Sequence, residues 1–510
     1  MVLRASLFLT ALFVLWGIAA PAHLTDTTSA LLSYTISRFG WFYLLSVFGF
    51  LVFSLYLAFG PFGHIRLGRE DEEPEFSRGS WFAMLFSAGM GIGLVFWGVA
   101  EPISHFATPA NAAVTPESAE AARAAMRYSF FHWGLHPWAV YSLMGLVLAY
   151  FKFNKGMPGL ISVTFRPLLG DKVDGPLGKA IDVLAVLATV FGVATSLGFG
   201  TLQIESGLQK LFGIPPGFWL TAGIVVTATV LFLLSSLTGL SRGIKWLSNL
   251  NILLALGLLL LIIGLGPTGF IFDTFTTTLG DYLGNLTSNS LRMSPFNQGT
   301  WIAGWTLFYW AWWVTWAPFV GMFIARVSRG RTIREFVVGV MLVPALASFI
   351  WFSAFGGTAI DLQLFAGADM VSAVKADVST ALYVMFDHLP GSQALSLLAM
   401  VLVVSFFVTS ADSATFVLGM LTSKGSLNPG HRVKLIWGVL LSAIALVLLS
   451  SGGLKGLQTM SIVAALPFML IMIGMAVSLY RALSDEEHQS RLREIRRLHK
   501  LQALMDERDR

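Results

Sequence analysis

Twelve apolar stretches, each long enough to cross a lipid bilayer as a helix, dominate this chain. A bilayer core requires roughly 20 apolar residues per helix. With 55% hydrophobic and 12% charged residues, the chain is also too apolar to cover a soluble surface with polar groups. The sequence therefore predicts an all-α polytopic membrane protein with 12 transmembrane helices. The stretches lie at approximately residues 5–21, 40–60, 79–99, 128–151, 180–208, 217–238, 245–266, 299–323, 334–356, 394–420, 432–451 and 456–480.

The basic residues indicate how such a protein is oriented. With both termini in the cytoplasm, 18 Lys and Arg residues fall in the N-terminus and the cytoplasmic loops, 8 follow from Arg481 onward, and 7 lie outside. This asymmetry fits the positive-inside rule. The first stretch, with Arg4 and the small residues 19–22, is also typical of a cleaved signal peptide. Cleavage would leave eleven spans and break the charge pattern unless the N-terminus lay outside, so an uncleaved first helix is preferred.

Several function classes lack support in this sequence. The chain contains no cysteine, which removes disulfides, thiolate metal sites and cysteine nucleophiles. We find no Walker loop, no paired Cys or His ligand set and no nucleophile elbow, so the sequence predicts neither ATP-driven pumping nor an enzyme. The net charge of +5 is not a nucleic-acid signature.

Two segments outside the twelve stretches have an amphipathic pattern. Residues 267–298 mix aromatic and aliphatic residues with Asp, Thr and Gly, so the segment is too polar to span and is predicted to lie along the outer surface. Residues 484–510 carry leucines and an isoleucine at threefold spacing among many charges, which predicts a cytoplasmic amphipathic helix. Its basic face would suit anionic lipid, although a solvated tail without a role remains the alternative.

Three glycines interrupt the third stretch in mid-span. Gly89, Gly91 and Gly93 occur at alternate positions, whereas a packing seam between helices would keep its small residues on one helical face. Glycine also permits the helix to unwind, and freed backbone groups at membrane depth are tolerated where they line a cavity. A broken helix that holds substrate or ions is the favoured interpretation, with a packing seam as the alternative.

Aromatic residues cluster in the middle of two other stretches. Trp133, Trp138 and Tyr141 fall within an arc of roughly 140° on a helical wheel. In the eighth stretch, Tyr309, Trp312, Trp313 and Trp316 follow the spacing i, i+3, i+4, i+7. Tryptophans of membrane proteins often form interfacial belts, and Trp41 and Trp81 are assigned to such a belt. Mid-span clusters instead indicate an aromatic cage for a quaternary ammonium group.

Hydroxyl and carboxylate side chains occur together in the tenth stretch. Thr409, Ser410, Asp412 and Ser413 stand in an otherwise apolar segment. A buried Asp in a membrane helix is a functional hypothesis by default. Thr409 and Ser410, with carbonyls from a broken helix, supply neutral oxygens suited to sodium, although such hydroxyls also commonly bond the carbonyl one turn back.

These residues resemble the betaine/carnitine/choline transporter family over nearly the whole chain. The resemblance implies a LeuT-like fold of two inverted five-helix repeats plus two peripheral N-terminal helices, in a homotrimer of the bacterial inner membrane. The implied organisation is residues 1–78 for the peripheral helices and a loop, 79–266 and 299–483 for the repeats, 267–298 for the outer segment and 484–510 for the C-terminal helix. The motifs are Gly89–Gly93 with Glu101 and Pro102, Trp133–Tyr141, Asp182–Gly200, WWVTWAPFVGMFIARVSRGRT at Trp312–Thr332, and Thr409–Ser413.

The resemblance also implies roles for individual residues. The aromatic cage falls on Trp133, Trp138, Tyr141 and Trp313, with Trp316 nearer the outer approach, and the substrate carboxylate would meet Gly89, Met90, Gly91 and Gly93. One sodium site would use carbonyls of Ser87, Met90 and Phe406 and the hydroxyls of Thr409 and Ser410. A second would use Thr189, Phe319 and position 193, where Val193 replaces a threonine of sodium-coupled relatives and cannot ligate.

Function follows from the resemblance as an expectation. The implied activity is sodium symport of a trimethylammonium compatible solute, glycine betaine above all, for osmoprotection, with Na+ as the coupling ion. Choline carriers that resemble this family tend to have an acidic residue where Gly93 stands, and that feature accompanies proton coupling. Proton-coupled choline transport and carnitine or ectoine transport remain alternatives within the family. An ion channel would also contain broken helices, but it predicts currents that do not saturate.

Overall fold

The protein is built from α-helices joined by short turns. The computed structural model describes residues 1–89, 91–237, 241–296, 299–426 and 428–508, and within these ranges there is no strand beyond an isolated bridge between Arg66 and Thr332. In chain order the helices are α1 Val2–Ala19, α2 Pro21–Phe59, α3 Arg78–Gly89, α4 Ile92–Ala107, α5 Ala119–Trp133, α6 Leu135–Phe153, α7 Arg166–Leu169, α8 Pro176–Phe212, α9 Phe218–Leu237, α10 Ser241–Leu265, α11 Thr268–Gly284, α12 Leu286–Ser290, α13 Trp301–Gly304, α14 Thr306–Val327, α15 Ile333–Phe365, α16 Met370–Ala376, α17 Ala381–Asp387, α18 Ser392–Thr422 and α19 His431–Arg508, with 3-10 turns at Ser162–Phe165, Gly170–Asp174 and Val378–Thr380.

The number of membrane spans depends on how two helical segments are counted. Ten helices of the described residues are long and apolar enough to cross a membrane, or eleven when the bent pair α3 and α4 forms one span. The apolar part of α19 has 59 residues, which at 1.5 Å per residue is roughly three times the thickness of a bilayer core. Gly453 interrupts it with φ 54° and ψ −142°. A division of α19 at Gly453 would give two spans, and the total of twelve stays a prediction from the sequence.

The helices differ in how deeply they lie inside the protein. In the span formed by α5 and α6, 94% of the most apolar window is buried, and in α8 and in α14 with α13 the fraction is 78%. The corresponding fraction is 22% for α1 and 28% for α9 and α10. The central helices are therefore α5, α6, α8 and α14, and the functional residues expected from the sequence lie mostly on or beside them.

The fourth apolar stretch is interrupted, which the sequence did not predict. We expected one continuous helix over residues 128–151, whereas α5 ends at Trp133 and α6 begins at Leu135. A Cβ atom on Gly134, between them, would lie 2.5 Å from the carbonyl oxygen of Phe130 and 2.8 Å from the hydroxyl of Tyr282. The Leu135 N–H, which is freed by the break, donates to the Tyr282 hydroxyl at 3.0 Å. Close packing of α11 against the break thus requires glycine at this position.

The two amphipathic segments are both helical. In the first segment, residues 268–284 form α11 and residues 286–290 form α12. Helix α11 packs on α5 and α15, and Arg123 donates twice to the carboxylate of Asp281, at 2.5 and 2.6 Å. The C-terminal helix is the continuation of α19 as far as Arg508. Its first turns are bound to the end of α6 and to the loop that follows it, because Glu486 accepts hydrogen bonds from the Tyr150 hydroxyl at 2.7 Å and from Lys155 at 2.6 Å. Contact of this helix with anionic lipid stays a prediction.

One tryptophan assigned to the interfacial belt lies elsewhere. Trp41 is 53% exposed, as a belt residue should be, but Trp81 is fully buried. Its indole N–H donates to the Ser328 hydroxyl at 3.0 Å, and the Arg331 guanidinium lies 4.8 Å above its ring. The belt assignment of Trp81 is therefore wrong, since this residue joins the start of α3 to the loop that follows α14.

Candidate functional site

A cavity of about 740 Å³ lies between α4, α6, α10, α14 and α18. This volume is within the range typical of small-molecule sites. Along α14 the lining begins at Trp312 and continues to Arg326, and along α6 it reaches Lys152. Towards the opposite membrane face, Trp97 packs against Trp305 at 5.4 Å and against Phe308 at 6.4 Å between ring centroids. The cavity is thus closed by aromatic side chains on one side and extends to basic residues on the other.

The structure brings the predicted cage residues together in this cavity. Trp133, Trp138, Tyr141, Trp313 and Trp316 all line it, and the first four are at most 6% exposed. The rings of Trp133 and Trp313 meet edge to face at 4.9 Å and 74°. Tyr141 stands edge to face with Trp313 at 6.3 Å and with Trp138 at 5.3 Å. Rings arranged in this way present several π faces to one small volume, as a cage for a cation requires.

Hydrogen bonds fix the indole rings in these orientations. Trp313 donates its N–H to the carbonyl oxygen of His132 at 3.0 Å, beside the helix break at Gly134. Trp316 donates to the carbonyl oxygen of Gly192 at 2.8 Å, and Trp312 donates to the Ser196 hydroxyl at 3.2 Å. A buried indole N–H needs such a partner, and each of these bonds restricts the rotation of a ring at the cavity.

The predicted glycine break is present beside the cage. Helix α3 ends at Gly89 and α4 begins at Ile92, with a bend of 63° between the two helices. Gly91 has extended backbone dihedrals, φ −167° and ψ −177°, and it lines the cavity together with Gly93. Met90 lies outside the described residues. Exposed backbone groups at this depth are suited to a polar or charged part of a ligand.

The first predicted sodium site also falls on the cavity wall. Ser87, Phe406, Thr409 and Ser410 line it. The Thr409 hydroxyl donates to the carbonyl oxygen of Ser405 at 3.0 Å, one turn back in α18. It also accepts a hydrogen bond from the Asn251 amide at 2.9 Å. The Thr409 hydroxyl and the carbonyl oxygens of Ser405 and Phe406 that it contacts are neutral oxygens, the type of ligand that a hard cation prefers.

Only one residue of the second predicted sodium site lies on the cavity wall. Phe319 lines the cavity, whereas Thr189 and Val193 are buried in α8 and are not part of its wall. The Thr189 hydroxyl donates to the carbonyl oxygen of Ala185 at 2.8 Å, within its own helix. This is the ordinary behaviour of a threonine in a membrane helix, and Val193 offers no oxygen ligand.

Three polar residues of α4, α10 and α18 lie in or beside the cavity wall, and none of them was predicted from the sequence to belong to the substrate or sodium sites. Asn251 of α10 is 3% exposed, lines the cavity, and has an amide oxygen without a hydrogen-bond partner among the described residues. Asp412 lines the same cavity, whose wall also includes Lys434. Glu101 of α4 is fully buried beside the cage, where it accepts a hydrogen bond from the Trp133 indole at 2.7 Å. Asp412 was already marked by its place in an apolar span and Glu101 by its place in a family motif, whereas Asn251 shares its stretch with Ser248 and Asn249 and has no distinctive local signal.

Comparisons with known proteins show the family of the chain. The family model described as BCCT, betaine/carnitine/choline family transporter, matches residues 1–488. The chain is 53% identical to the glycine betaine transporter OpuD of Bacillus subtilis, over 97% of this chain and 95% of that protein. It is 48% identical to the ectoine/hydroxyectoine transporter of Virgibacillus pantothenticus, over 96% and 97% of the two chains. The glycine betaine transporter of Acinetobacter baylyi is 43% identical, over 94% of this chain and 72% of that protein.

The matched residues include every element that lines the cavity, from α3 to α19. The resemblance stated from the motifs is therefore confirmed at the level of the family. A multi-pass helical architecture, a central cavity with an aromatic wall and a break in the helix beside it are all present in the chain that this model matches. This protein belongs to the betaine/carnitine/choline transporter family.

Proposed function

We propose that this protein imports glycine betaine by sodium symport, through alternating access, for osmoprotection. The observation that carries the proposal is the group of buried ring faces formed by Trp133, Trp138, Tyr141 and Trp313 around one end of the cavity. A trimethylammonium group cannot donate strong hydrogen bonds, so aromatic faces can solvate it without directed acceptors. The break at Gly91 lies across the same cavity and offers backbone groups to the carboxylate.

Sodium coupling is supported by the oxygens next to the cage. Thr409 and Ser410 are hydroxyl residues of an otherwise apolar helix, and both face the cavity. The amide of Asn251 donates to the Thr409 hydroxyl, so a cation that binds this oxygen would compete with the hydrogen bond. Occupation of the site and the contact between α10 and α18 would then be linked, which is one way for an ion to bias a conformational change.

Alternating access is supported by the one-sided shape of the cavity. Its open end carries Lys152, Arg326 and Lys434, which the positive-inside rule assigns to the cytoplasm. Such a cavity is what a cytoplasm-facing conformation would have, in which the aromatic contacts around Trp97 would form the closed outer gate. We further propose an inner-membrane homotrimer with both termini cytoplasmic, as the family resemblance implies.

The proposal is tested by transport in proteoliposomes. We expect an inward sodium gradient to drive concentrative uptake of radiolabelled glycine betaine, because the neutral oxygens at Thr409 and Ser410 suit sodium. The same vesicles are assayed with choline, carnitine and ectoine, each under a sodium, lithium or proton gradient alone. Ectoine is included because one relative is named for it. Betaine uptake that is unchanged without sodium would refute the symport.

The sodium site predicts a specific effect on the ion dependence. In a variant with Thr409→Ala and Ser410→Ala, we expect the sodium concentration for half-maximal betaine uptake to rise about tenfold or more, because two oxygen ligands are lost. The measurement is initial uptake rate against sodium concentration at saturating betaine. A matched control is Thr229→Ala with Ser442→Ala, a hydrogen-bonded pair at 2.6 Å that does not line the cavity. An equal shift in both variants would place the site elsewhere.

A further inference from the structure

A carboxylate lies directly behind the wall of the cage. Glu101 stands eight positions after Gly93 in α4, is 0% exposed, and does not line the cavity. A buried charge within a membrane span is costly, and a role in packing alone would be served by an apolar side chain. The residues that contact it therefore indicate what it does.

Four groups lie within hydrogen-bonding distance of this carboxylate. His132 and His105 contact one oxygen, at 2.6 and 3.1 Å from Nδ1 and Nε2, respectively. The Trp133 indole at 2.7 Å and the Tyr309 hydroxyl at 2.5 Å contact the other. An indole N–H can only donate, and the shortest contacts have the lengths of hydrogen bonds to an ionised oxygen. With both histidines as donors, this set of contacts suits an anionic carboxylate.

The two histidines do not cancel its charge. Nε2 of His132 lies 3.0 Å from the Thr306 hydroxyl, which can donate to it, so His132 is assigned as a neutral ring with its proton on Nδ1. Nδ1 of His105 has no partner among the described residues, which fits a neutral ring with the proton on Nε2. No Lys or Arg of the described part of the chain forms an ion pair with Glu101, so its negative charge is left for another cation.

The hydrogen bonds connect this charge to the cage. Trp133 donates its N–H to Glu101 while its ring forms the cage wall next to Trp313, at 4.9 Å. Tyr309, which also donates to Glu101, stacks on Trp313 at 5.7 Å and 24°. An indole whose N–H is bonded to an anion has a more electron-rich face, and that face attracts a cation more strongly. In a medium of low dielectric constant the carboxylate also attracts the cation directly.

We propose that Glu101 is the remote counter-charge for the ammonium group of the substrate, acting through Trp133 and Tyr309 without touching the solute. The inference rests on the proposed betaine transport and assigns to Glu101 the selection of a positively charged head group over a neutral one of the same shape. Glu101 is a positioning residue, since the same hydrogen bonds also fix the Trp133 ring.

A metal site is the competing interpretation of this cluster. The ligand atoms of Glu101, His105 and His132 lie within 4.8 Å of one another. In the structure, however, Nε2 of His105 and Nδ1 of His132 both form hydrogen bonds to the same carboxylate oxygen of Glu101. A metal ion would have to replace both bonds, and the other carboxylate oxygen is already bonded to Trp133 and Tyr309.

The test compares glycine betaine with tert-butylacetate, in which carbon replaces the ammonium nitrogen and the shape and carboxylate are kept. Dissociation constants are measured for both by tryptophan fluorescence on the purified full chain in nanodiscs. In Glu101→Gln, the dissociation constant of betaine should rise about tenfold because the counter-charge of its ammonium group is lost. The dissociation constant of tert-butylacetate, which has no ammonium group, should stay the same or fall. In Glu101→Asp, which keeps the charge, the preference for betaine should be retained. Glu205→Gln is the matched control, since Glu205 is 8% exposed and bonded to Gly217 and Thr221 away from the cavity.

Each outcome decides between distinct conclusions. If the wild-type protein does not bind betaine, the proposed function fails. If it does and Glu101→Gln binds betaine equally well, or weakens both ligands in the same proportion, Glu101 is only structural and this inference is overturned. If a chelator abolished the preference of the wild-type protein for betaine over tert-butylacetate and added zinc restored it, the inference would be overturned in favour of a metal site. If Glu101→Gln does not fold, Trp133→Phe is measured in its place, because it keeps an aromatic ring and removes the N–H that is bonded to Glu101. An unchanged preference for betaine over tert-butylacetate in Trp133→Phe would overturn the inference.

Discussion

Replacement of Trp313 by alanine is expected to weaken glycine betaine binding by about 10- to 100-fold. One desolvated ring face contributes roughly 0.5–2 kcal/mol to the binding of a quaternary ammonium, and lost packing adds to this. Each 1.4 kcal/mol corresponds to a tenfold change in the dissociation constant. Trp313 also contacts Trp133, Tyr141 and Trp312, so its removal opens the cage on several sides. Trp313→Phe should retain part of the affinity because it keeps a π face. The measurement is the dissociation constant by tryptophan fluorescence or calorimetry.

Two control variants separate the cage from general packing. Trp351→Ala removes an equally large side chain that is 0% exposed and stacked on Phe355 at 4.2 Å, outside the cavity wall. It should lower thermal stability without a comparable loss of affinity. Trp41→Ala, at a half-exposed position, should change neither. If all three alanine variants lost the same affinity, the effect of Trp313 would act through folding, and the cage would not be the binding site.

The sequence predicted the structure best where the spacing of one residue type along a helix leaves a single structural interpretation. Glycines at alternate positions do not share a helical face, so Gly89, Gly91 and Gly93 predicted a break, and the helices on either side are bent by 63°. Tryptophans at helical spacing in mid-span have no interface to occupy, so Trp312, Trp313 and Trp316 predicted a wall that does line the cavity. In both cases the pattern is local and depends on helix geometry alone.

Contacts between residues that are far apart in the sequence could not be predicted, because they leave no local pattern in either segment. The break at Gly134 depends on Tyr282 of α11, which lies almost 150 positions away and occupies the space of a side chain. Nothing local distinguishes Asn251 from Ser248 and Asn249 in the same stretch, and only its hydrogen bond to the Thr409 hydroxyl of α18 indicates its position at the cavity. Trp81 was misassigned because a tryptophan near a helix end has the same local pattern at the interface as in the core.

Gly93 is the position at which a single side chain should change the substrate. It lines the cavity, and a Cβ atom there would lie 2.4 Å from Cη2 of Trp312 and 3.2 Å from Cη2 of Trp133. Trp312 is stacked on Trp313 at 4.6 Å, so it cannot withdraw without moving the cage wall. Any side chain at this position therefore has a steric effect on the cage, and an acidic one adds a charge beside it.

Gly93→Ala isolates the steric effect and is expected to lower betaine affinity about tenfold or more, since overpacking of a dense core typically costs ~1–3 kcal/mol. It should not admit choline, because it adds no charge. Addition of Trp312→Phe removes the ring atoms that obstruct the new Cβ and should restore part of the affinity. If Gly93→Ala bound betaine with the affinity of the wild type, α4 would not lie as close to Trp312 as described, and the steric argument would fail.

Gly93→Asp adds the charge, and its difference from Gly93→Ala measures what that charge does. Glycine betaine carries its own carboxylate, which a carboxylate at position 93 would repel. Choline has no carboxylate and enters the cavity as a net cation, so in a medium of low dielectric constant it requires a counter-ion. We expect Gly93→Asp to lower betaine uptake further than Gly93→Ala and to admit choline, measured as competitive uptake of the two labelled solutes by proteoliposomes with equal protein content. If Gly93→Asp still preferred betaine and ignored choline, position 93 would not face the head group, and the charge that selects the solute would have to lie elsewhere around the cage.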